Sequence, residues 1–450
     1  MPQSPNSDQN EYRTLSFWHD SLPADLRPRS PLQGDLKADV VIVGAGYTGL
    51  WTAYYLHRLD PGLDIVLLES EIAGFGASGR NGGWCASFLS GIDHWLNDPA
   101  SRDGGLRLQR LMFDTVREIG EVTDRESIDC HFDHSGTLEV AVNRGQLRRA
   151  REGYEAMAAL GFSEDDFRWL DGGELRRELA VEGALGGVHS AHTAAVHPAR
   201  LARGLAEVVE RNGIRLLEHS PVVALGDNHA VTDRGRVRAD TVIAATEGYS
   251  DSLPGMERCM IPVHSMMVVT EPLSDSQIEA TGFRRRYTFG NLDHMVTYGQ
   301  LTADRRIAFG CRGSYHYGSG LRHFRPEEPE FDLVRRKLLT FFPGLENIRF
   351  SHAWGGAMGV SRSLRPSVNF DSRRRMGWAG GYFGNGVGAA HLAGRTLADL
   401  VLDRDTPRTR TPWINPPESA RRWEPEPLRW LGFKATRLQK QLADRLEYRL

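Results

Sequence analysis

The apolar residues of the chain fall into two kinds of run, and each predicts a different element. Val40-Val41-Ile42-Val43, entered from Asp39, and Ile65-Val66-Leu67-Leu68 are continuous apolar stretches, the pattern of parallel strands buried on both faces. Between them Leu50, Ala53, Tyr54 and His57 recur on one face of a helix that Pro61-Gly62 stops. Further on, residues 135–142, 262–270 and 306–310 read as half-buried strands. Trp378 to Ala389 reads as a strand, a glycine loop and a helix N-terminus, and the helical run continues through Leu400. Past Arg404 the chain is rich in proline and arginine and then turns helical. There Leu438, Leu442 and Leu446 recur at i+4 among Arg437, Lys440 and Arg445, which predicts a helix docked on its own domain.

The turn after the first strand is Gly44-Ala45-Gly46-Tyr47-Thr48-Gly49, and the second strand ends on Glu69, 20 residues past Gly49. Each part has a physical reason. Gly44 allows a tight turn, Gly46 lets a diphosphate approach the backbone, and Gly49 lets helix and strand pack closely. The helix N-terminus offers free N–H groups and partial positive charge to a pyrophosphate. Glu69 is placed to accept hydrogen bonds from ribose hydroxyls. A glycine-rich turn in an unrelated domain would show the motif alone. Here strand, glycines, helix, strand and acid are in register, which marks a dinucleotide site without choosing between FAD and NAD.

Composition narrows the classes. A chain of 450 residues exceeds one simple core, so two domains are expected. Charged residues are 25% and hydrophobic ones 40%, an ordinary globular balance, and the net charge of −3 gives no reason to expect nucleic acid. Residues 1–36 lack the apolar centre of a secretory signal, and no run approaches the roughly 18 apolar residues of a membrane span. Cys85, Cys130, Cys259 and Cys311 are dispersed with no C-x-x-C, which favours a reducing compartment; a cytoplasmic protein without integral membrane association is expected. Cys130, His131, Asp133 and His134 come from one short stretch with no second ligand pair, so no metal is expected.

The segment after Glu69 carries a resemblance. Ser70-Glu71-Ile72-Ala73-Gly74-Phe75-Gly76-Ala77-Ser78-Gly79-Arg80-Asn81-Gly82-Gly83 resembles the flavin-contacting loop of the FAD-dependent D-amino-acid oxidase/glycine oxidase superfamily. So do Pro221-Val222-Val223, where a valine backbone (Val223) would contact adenine, and the strand-and-turn Thr241 to Gly248 with its A-T-x-G element. Tyr382-Phe383-Gly384-Asn385-Gly386-Val387-Gly388 is similar to the family's C-terminal glycine loop, and the likeness spans about 38–402. Ser16-Phe17-Trp18-His19 and the Gly-Arg-Asn-Gly-Gly-Trp form look most like the γ-glutamylputrescine oxidoreductase-like amine oxidases. The resemblance implies FAD as cofactor, held by Gly44, Gly46, Gly49, Glu69, Ser78, Arg80, Asn81, Gly82, Val223, Gly384, Asn385, Gly386 and Val387. It also implies a discontinuous Rossmann-like FAD-binding domain (30–100, 196–255 and 355–403). A substrate domain built on a mixed, largely antiparallel sheet (101–195 and 256–354) roofs the flavin. An N-terminal extension (1–29) and a tail with a helix (404–450) complete this α/β (α+β) layout.

Family members move a hydride from the carbon beside an amine onto flavin N5, and the imine then hydrolyses. That chemistry needs a neutral amine, an aimed C–H bond and a dry pocket more than a dedicated base. Trp84, Tyr298, Arg312, Tyr315, His316, Tyr317, Trp354 and Arg362 are pocket candidates, each of which could equally be ordinary core or surface. His316, Tyr298, Trp354 and Arg312 are the catalytic choices, with His316 as proton acceptor because histidine titrates near neutrality. Aligning on Pro366 puts the family's carboxylate-binding arginine near Met358, so a simple α-amino acid loses its anchor unless Arg312 or Arg362 replaces it. Cys311 is read as a buried strand-end cysteine rather than a covalent flavin attachment.

The expected partners are a small amine and oxygen or another electron acceptor. Oxidation of a primary or secondary amine leads. An amino-acid or aminophosphonate oxidase is the second reading, and an electron-transfer or binding flavoprotein that oxidises no amine is the third. A flavin monooxygenase would need a second G-x-G-x-x-G for its nicotinamide, and none is present.

Overall fold

The computed structural model describes residues 11–414 and 421–449, so parts of the expected extension (1–10) and tail (415–420 and 450) lie outside the described residues. The two continuous apolar runs become neighbouring parallel strands, Leu36–Val43 and Ile65–Leu68, in register Val40↔Ile65 to Val43↔Leu68. Their sheet runs in the order Ser367–Asp371, Met376–Gly380, Gly235–Ala244, Leu36–Val43, Ile65–Leu68, Arg215–Leu217, and a hairpin (Val222–Gly226, His229–Thr232) branches from Gly235–Ala244. Within it the strands from Met376–Gly380 to Arg215–Leu217 are parallel.

The first helix, Tyr47–Leu59, ends as predicted before Pro61-Gly62. It lies against the glycine-loop helix, Gly386–Val401, so closely that a Cβ on Gly394 would stand 2.7 Å from the Trp51 Cβ. Their shared core includes Ile42, Leu50, Tyr54, Leu67, Ile243, Ala389 and Leu397. Each fully buried Leu or Ile there is worth about 1.5–3 kcal/mol relative to exposure.

The second sheet is mixed, as expected, with the order Phe350–Ser361, Met260–Thr270, Ile307–Tyr315, Thr297–Leu301, Thr288–Asn291, Thr137–Ala141, Gly186–Ser190, Phe167–Asp171. Only Thr288–Asn291 with Thr137–Ala141 is parallel in it. Two expected boundaries shift. Residue 355 falls inside the Phe350–Ser361 strand, which pairs with Met260–Thr270 along its length. The helix Arg102–Arg125, expected with the substrate domain, buries Leu108, Met112, Val116 and Ile119 in the core of the first sheet.

The N-terminal segment is built in rather than appended. Glu218, fully buried, accepts from Arg29 N and Ala73 N (both 2.7 Å) and pairs with Arg29 (2.9 Å) and Arg203 (3.0 Å). The tail helix, Leu428–Glu447, does dock on its own chain, but not through its leucines. Leu438, Leu442 and Leu446 face outward, while Asp444 accepts from His294 N (2.7 Å) and Met295 N (3.1 Å) and Glu447 binds Arg149 (2.8 Å). Among the described residues no helix is long and apolar enough to cross a membrane.

Candidate active site

Parallel pairing decides where the site lies. The strands Leu36–Val43, Ile65–Leu68, Gly235–Ala244 and Met376–Gly380 run in one direction, so the turns that follow them gather at one edge. Gly44 (φ +105°) has no room for a side chain, since a Cβ would meet Ala245 O at 2.6 Å. A Cβ on Gly49 would lie 1.9 Å from Gly44 O, so the helix rests directly on the turn. Gly46 opens that helix without a side chain, and Ser78 Oγ accepts the Tyr47 N–H at 2.9 Å. Beside it the Glu69 carboxylate accepts from Ala45 N (2.7 Å) and Glu71 N (3.1 Å), and burial raises its pKa. A narrow glycine turn, helix-end N–H groups and an acidic acceptor within one loop's width fit a dinucleotide. The segment at Ser220, which donates its N–H to Glu69 O at 2.8 Å, leads into the strand Val222–Gly226, where Val223 is exposed and is skipped in the pairing with His229–Thr232.

The loop from Ala77 to Gly83 is held mainly by its own side chains. Asn81 Nδ2 donates to Ala77 O (3.1 Å) and Ser78 O (3.0 Å), and its Oδ1 accepts from Gly83 N (2.7 Å). Arg80, expected to offer donors to the cofactor, instead bonds Phe75 O (2.7 Å) and Tyr249 OH (3.3 Å) and stacks over Phe75. The N-terminal segment locks the loop from outside: Trp18 Nε1 donates to Asn81 O at 2.8 Å and Ser16 Oγ to Gly79 O at 3.1 Å. His19 is buried with it, and burial drives its pKa down to about 3, so the ring is neutral.

The C-terminal glycine loop turns through Phe383 (φ +47°) and Gly384 (φ +99°) into the Gly386–Val401 helix, whose N-terminus no side chain caps. Asn385 reaches Ser90 Oγ at 3.4 Å instead. Tyr382 OH pairs with Thr48 Oγ1 at 2.9 Å, tying this loop to the nucleotide helix. Glu247, the variable position of the A-T-x-G element, carries a role that sequence reasoning did not assign. Its carboxylate accepts from Gly381 N (3.0 Å), Tyr382 N (3.2 Å) and, closely, Gly359 N, joining the glycine loop to the second sheet. Burial pushes its pKa up to about 7 against the pull of those N–H donors. The only sequence signal for it was an acid at a position flanked by Thr246 and Gly248.

The second sheet turns one face to this edge. Pairing of Ser265 with Gly356 and of Met267 with Trp354 places these residues on the same face as Met358. Gly82 lies against that face, with an added Cβ only 2.6 Å from the Tyr298 ring, and Gly356 lies against Arg80. The hydroxyls of Tyr298 and Ser265 bond each other, and burial raises the phenol. Arg312 donates to Phe383 O at 3.0 Å, its guanidinium 4.2 Å over the Phe383 ring, and a Cβ on Gly384 would stand 3.5 Å from Nη2 and 3.7 Å from Met358 Sδ. Tyr298, Arg312 and Met358 are thus brought together over the loop.

Three expected site residues are not. Ser265 pairs with Arg312 but Val263 pairs with Tyr315, so the Ile307–Tyr315 strand carries an extra residue there. This bulge reverses the alternation of faces. His316 therefore emerges on the opposite face, where it packs on His264 (5.0 Å) and Phe324 (6.0 Å), and it is corrected out of the site. Trp354 shares the correct face but is sealed beneath Trp18, its indole N–H on Arg80 O at 2.8 Å, so it braces the loop. Arg362 is half-exposed and bound to Glu424 at 2.8 Å. Of the remaining candidates, Trp84 donates to Gly299 O at 3.0 Å, Tyr317 is 61% exposed, and Cys311 is buried in the core behind the sheet.

Comparison with known proteins bears on what this edge holds. The family model described as DAO, FAD dependent oxidoreductase, matches residues 39–400. The chain is 32% identical over 380 residues to gamma-glutamylputrescine oxidoreductase of Escherichia coli, covering 83% of this chain and 86% of that one. It is 29% identical over 400 residues to a protein of Haemophilus influenzae called "Probable oxidoreductase OrdL", covering 87% and 88% respectively. Among solved structures, glycine oxidase from Geobacillus kaustophilus shares the fold, with a TM-score of 0.68 at 19% identity, covering 82% of this chain and 96% of that one.

Two predictions follow from this geometry. Glu69→Ala removes a charged acceptor worth about 1.5–3 kcal/mol and should lower FAD retention on gel filtration. Gly46→Val should lower it further, and full flavin occupancy in both would mean that FAD lies elsewhere. The second concerns Glu247, whose folded pKa of about 7 exceeds its unfolded value of 4.5. Its stabilising contribution is complete below the unfolded value and is lost as pH rises through the folded one, by on the order of 3 kcal/mol. Thermal melts of the FAD-bound protein between about pH 5 and about pH 8 should therefore show a steeper decline in wild type than in Glu247→Gln. Parallel curves would show that this carboxyl does not titrate in that window.

Proposed function

The chain belongs to the DAO family of FAD-dependent oxidoreductases, and from that premise we propose that it oxidises the C–N bond of a primary or secondary amine. When bound, FAD supplies a hydride acceptor at flavin N5. The observation that carries the proposal is the make-up of the roof over the loop. Met267, Met358 and the paired hydroxyls of Tyr298 and Ser265 face it, with neither a histidine nor a carboxylate among them.

Such a surface excludes water and aims a C–H bond, and it holds no strong base. The amine enters neutral, its proton left to solvent. Hydride loss from the adjacent carbon then yields a protonated imine, which water converts to a carbonyl compound and the free amine or ammonia. Burial keeps Tyr298 a neutral phenol against the opposing pull of its bond to Ser265, so it orients rather than deprotonates. With FAD bound, the uncapped N-terminus of the Gly386–Val401 helix would offer partial positive charge to the reduced flavin.

Arg312 supports a second reading, oxidation of an α-amino acid held by its carboxylate. The two readings diverge in one experiment, anaerobic reduction of the bound flavin by a panel of amines, amino acids and aminophosphonates. Amines without an α-carboxylate should bleach it faster than glycine or D-alanine, because Met358 stands where the family's arginine is expected. Faster bleaching by the simple amino acids would establish the second reading, and no bleaching by any compound would leave a flavoprotein of another role.

A further inference from the structure

The tail helix Leu428–Glu447 lies beyond the segment matched by the family model, which ends at residue 400, and its two sides differ in kind. The side against the body is satisfied. Phe433 packs on Tyr315 with ring centroids 5.2 Å apart, Asp444 accepts from His294 N (2.7 Å) and Met295 N (3.1 Å), and Glu447 binds Arg149 at 2.8 Å. At about 3.6 residues per turn, Leu428, Leu431, Ala435, Leu438, Leu442 and Leu446 fall on the opposite side as one stripe. All six are exposed, the five leucines between 47% and 60%. A single exposed leucine is ordinary, but five in line along a 20-residue helix form a patch that asks for a partner.

The charge around this stripe has one sign. Asp444 and Glu447 are the only carboxylates of the helix, and both are turned to the body. Lys434 and Arg445 border the stripe along one side and Arg449 follows its end, all exposed and without an ion pair among the described residues. Uncharged Thr436 and Gln439 border the other side. Where the helix begins, Lys434 Nζ stands 5.4 Å from the centre of the Trp430 ring, and that ring meets exposed Tyr317 at 6.2 Å. An apolar stripe with a basic border and aromatic rings at its rim matches the boundary of an anionic lipid leaflet. There leucines reach the acyl chains while ammonium and guanidinium groups meet phosphates.

Two other occupants match less well. A second copy laid along the stripe in either direction would set Lys434 and Arg445, or Thr436 and Gln439, against the basic border, and neither edge brings a carboxylate to pair with it. Residues 1–10 and 415–420 carry only Met1 and Ala420 besides polar residues and proline, too little apolar surface to cover five leucines. We propose that the Leu428–Glu447 helix lies in the interface of an anionic membrane, docking the flavoprotein on the lipid surface without crossing it.

The test uses the full-length FAD-bound protein, sedimented with vesicles of phosphatidylcholine alone or mixed equally with phosphatidylglycerol. Binding to the phosphatidylglycerol vesicles should be at least tenfold stronger, and about 0.5 M salt should remove most of that advantage. Leu438→Gln with Leu442→Gln, both on the outward side, should weaken binding by about tenfold or more. Lys434→Gln with Arg445→Gln should abolish the preference for phosphatidylglycerol. Leu185→Gln, which alters a leucine 45% exposed elsewhere on the surface, should leave binding as it is. Flavin content checks that each variant is folded, and either pair of changes decides the matter if the other unfolds. No binding to either vesicle, equal binding to both, or wild-type binding in both folded pairs would overturn the proposal. A wild-type dimer in sedimentation equilibrium that the leucine pair converts to monomer, with no vesicle binding, would overturn it in favour of a second copy.

Discussion

The arrangement depends above all on the parallel register of one sheet. Val40 pairs with Thr241 and with Ile65, and Val242 with Met376, so four strands end at one edge. Nothing else would bring the Gly44 turn, Glu69, Glu247 and the Gly384 turn within one cleft, because they are separated by up to 340 positions along the chain. Helices that follow parallel strands also start at that edge, so both helix N-termini present their unpaired N–H groups to the same space. The close seat of Gly394 on Trp51 holds those two helices at a fixed separation.

The second sheet is fastened to that edge by buried polar contacts as well as by an apolar cluster in which Met267, Val269 and Trp354 meet Ile72, Ala199 and Trp18. Glu247 gathers amides from the glycine loop and from the Phe350–Ser361 strand, while Gln300 Nε2 reaches back to Gly82 O (2.8 Å) and Val196 O (3.1 Å). Directional bonds of this kind fix the height of the roof above the loop, whereas apolar packing alone tolerates sliding. On the face so positioned, Met267, Met358 and the paired hydroxyls of Tyr298 and Ser265 stand beside Arg312.

Much of the nucleotide half was legible in the sequence, because its signals are local. A buried strand, a glycine turn and a helix stop within 20 or so residues of one another, and the pattern determines their order. Residues of the roof were less legible for three identifiable reasons. His316 follows a bulge that no periodicity reveals, and one extra residue moved it to the wrong face. Trp354 is claimed by Trp18 of the N-terminal segment, a contact 336 residues away in sequence that no local signal encodes. The boundary expected at 355 ignored that Gly355 to Gly359 continue a strand, since a glycine-rich stretch reads as loop until its partner strand is known. In the tail helix the i+4 leucines suggested the docked face, but part-buried acid–base and amide contacts together with Phe433 packed on Tyr315 determined the orientation instead.

The central proposal, drawn from the likeness of the C-terminal glycine loop to the family's, is that with FAD bound the uncapped N-terminus of the Gly386–Val401 helix would lie near the N1–C2=O region and stabilise negative charge there. Sulfite titration of the oxidised, FAD-replete protein tests it most directly, because sulfite adds at N5 and leaves negative charge over the N1–C2=O region. The account predicts ready formation of the bleached adduct in wild type and a weakened adduct in Gly386→Asp, where a carboxylate opposes that charge. A wild-type flavin that stays yellow in high sulfite, while small amines still reduce it, would contradict the account.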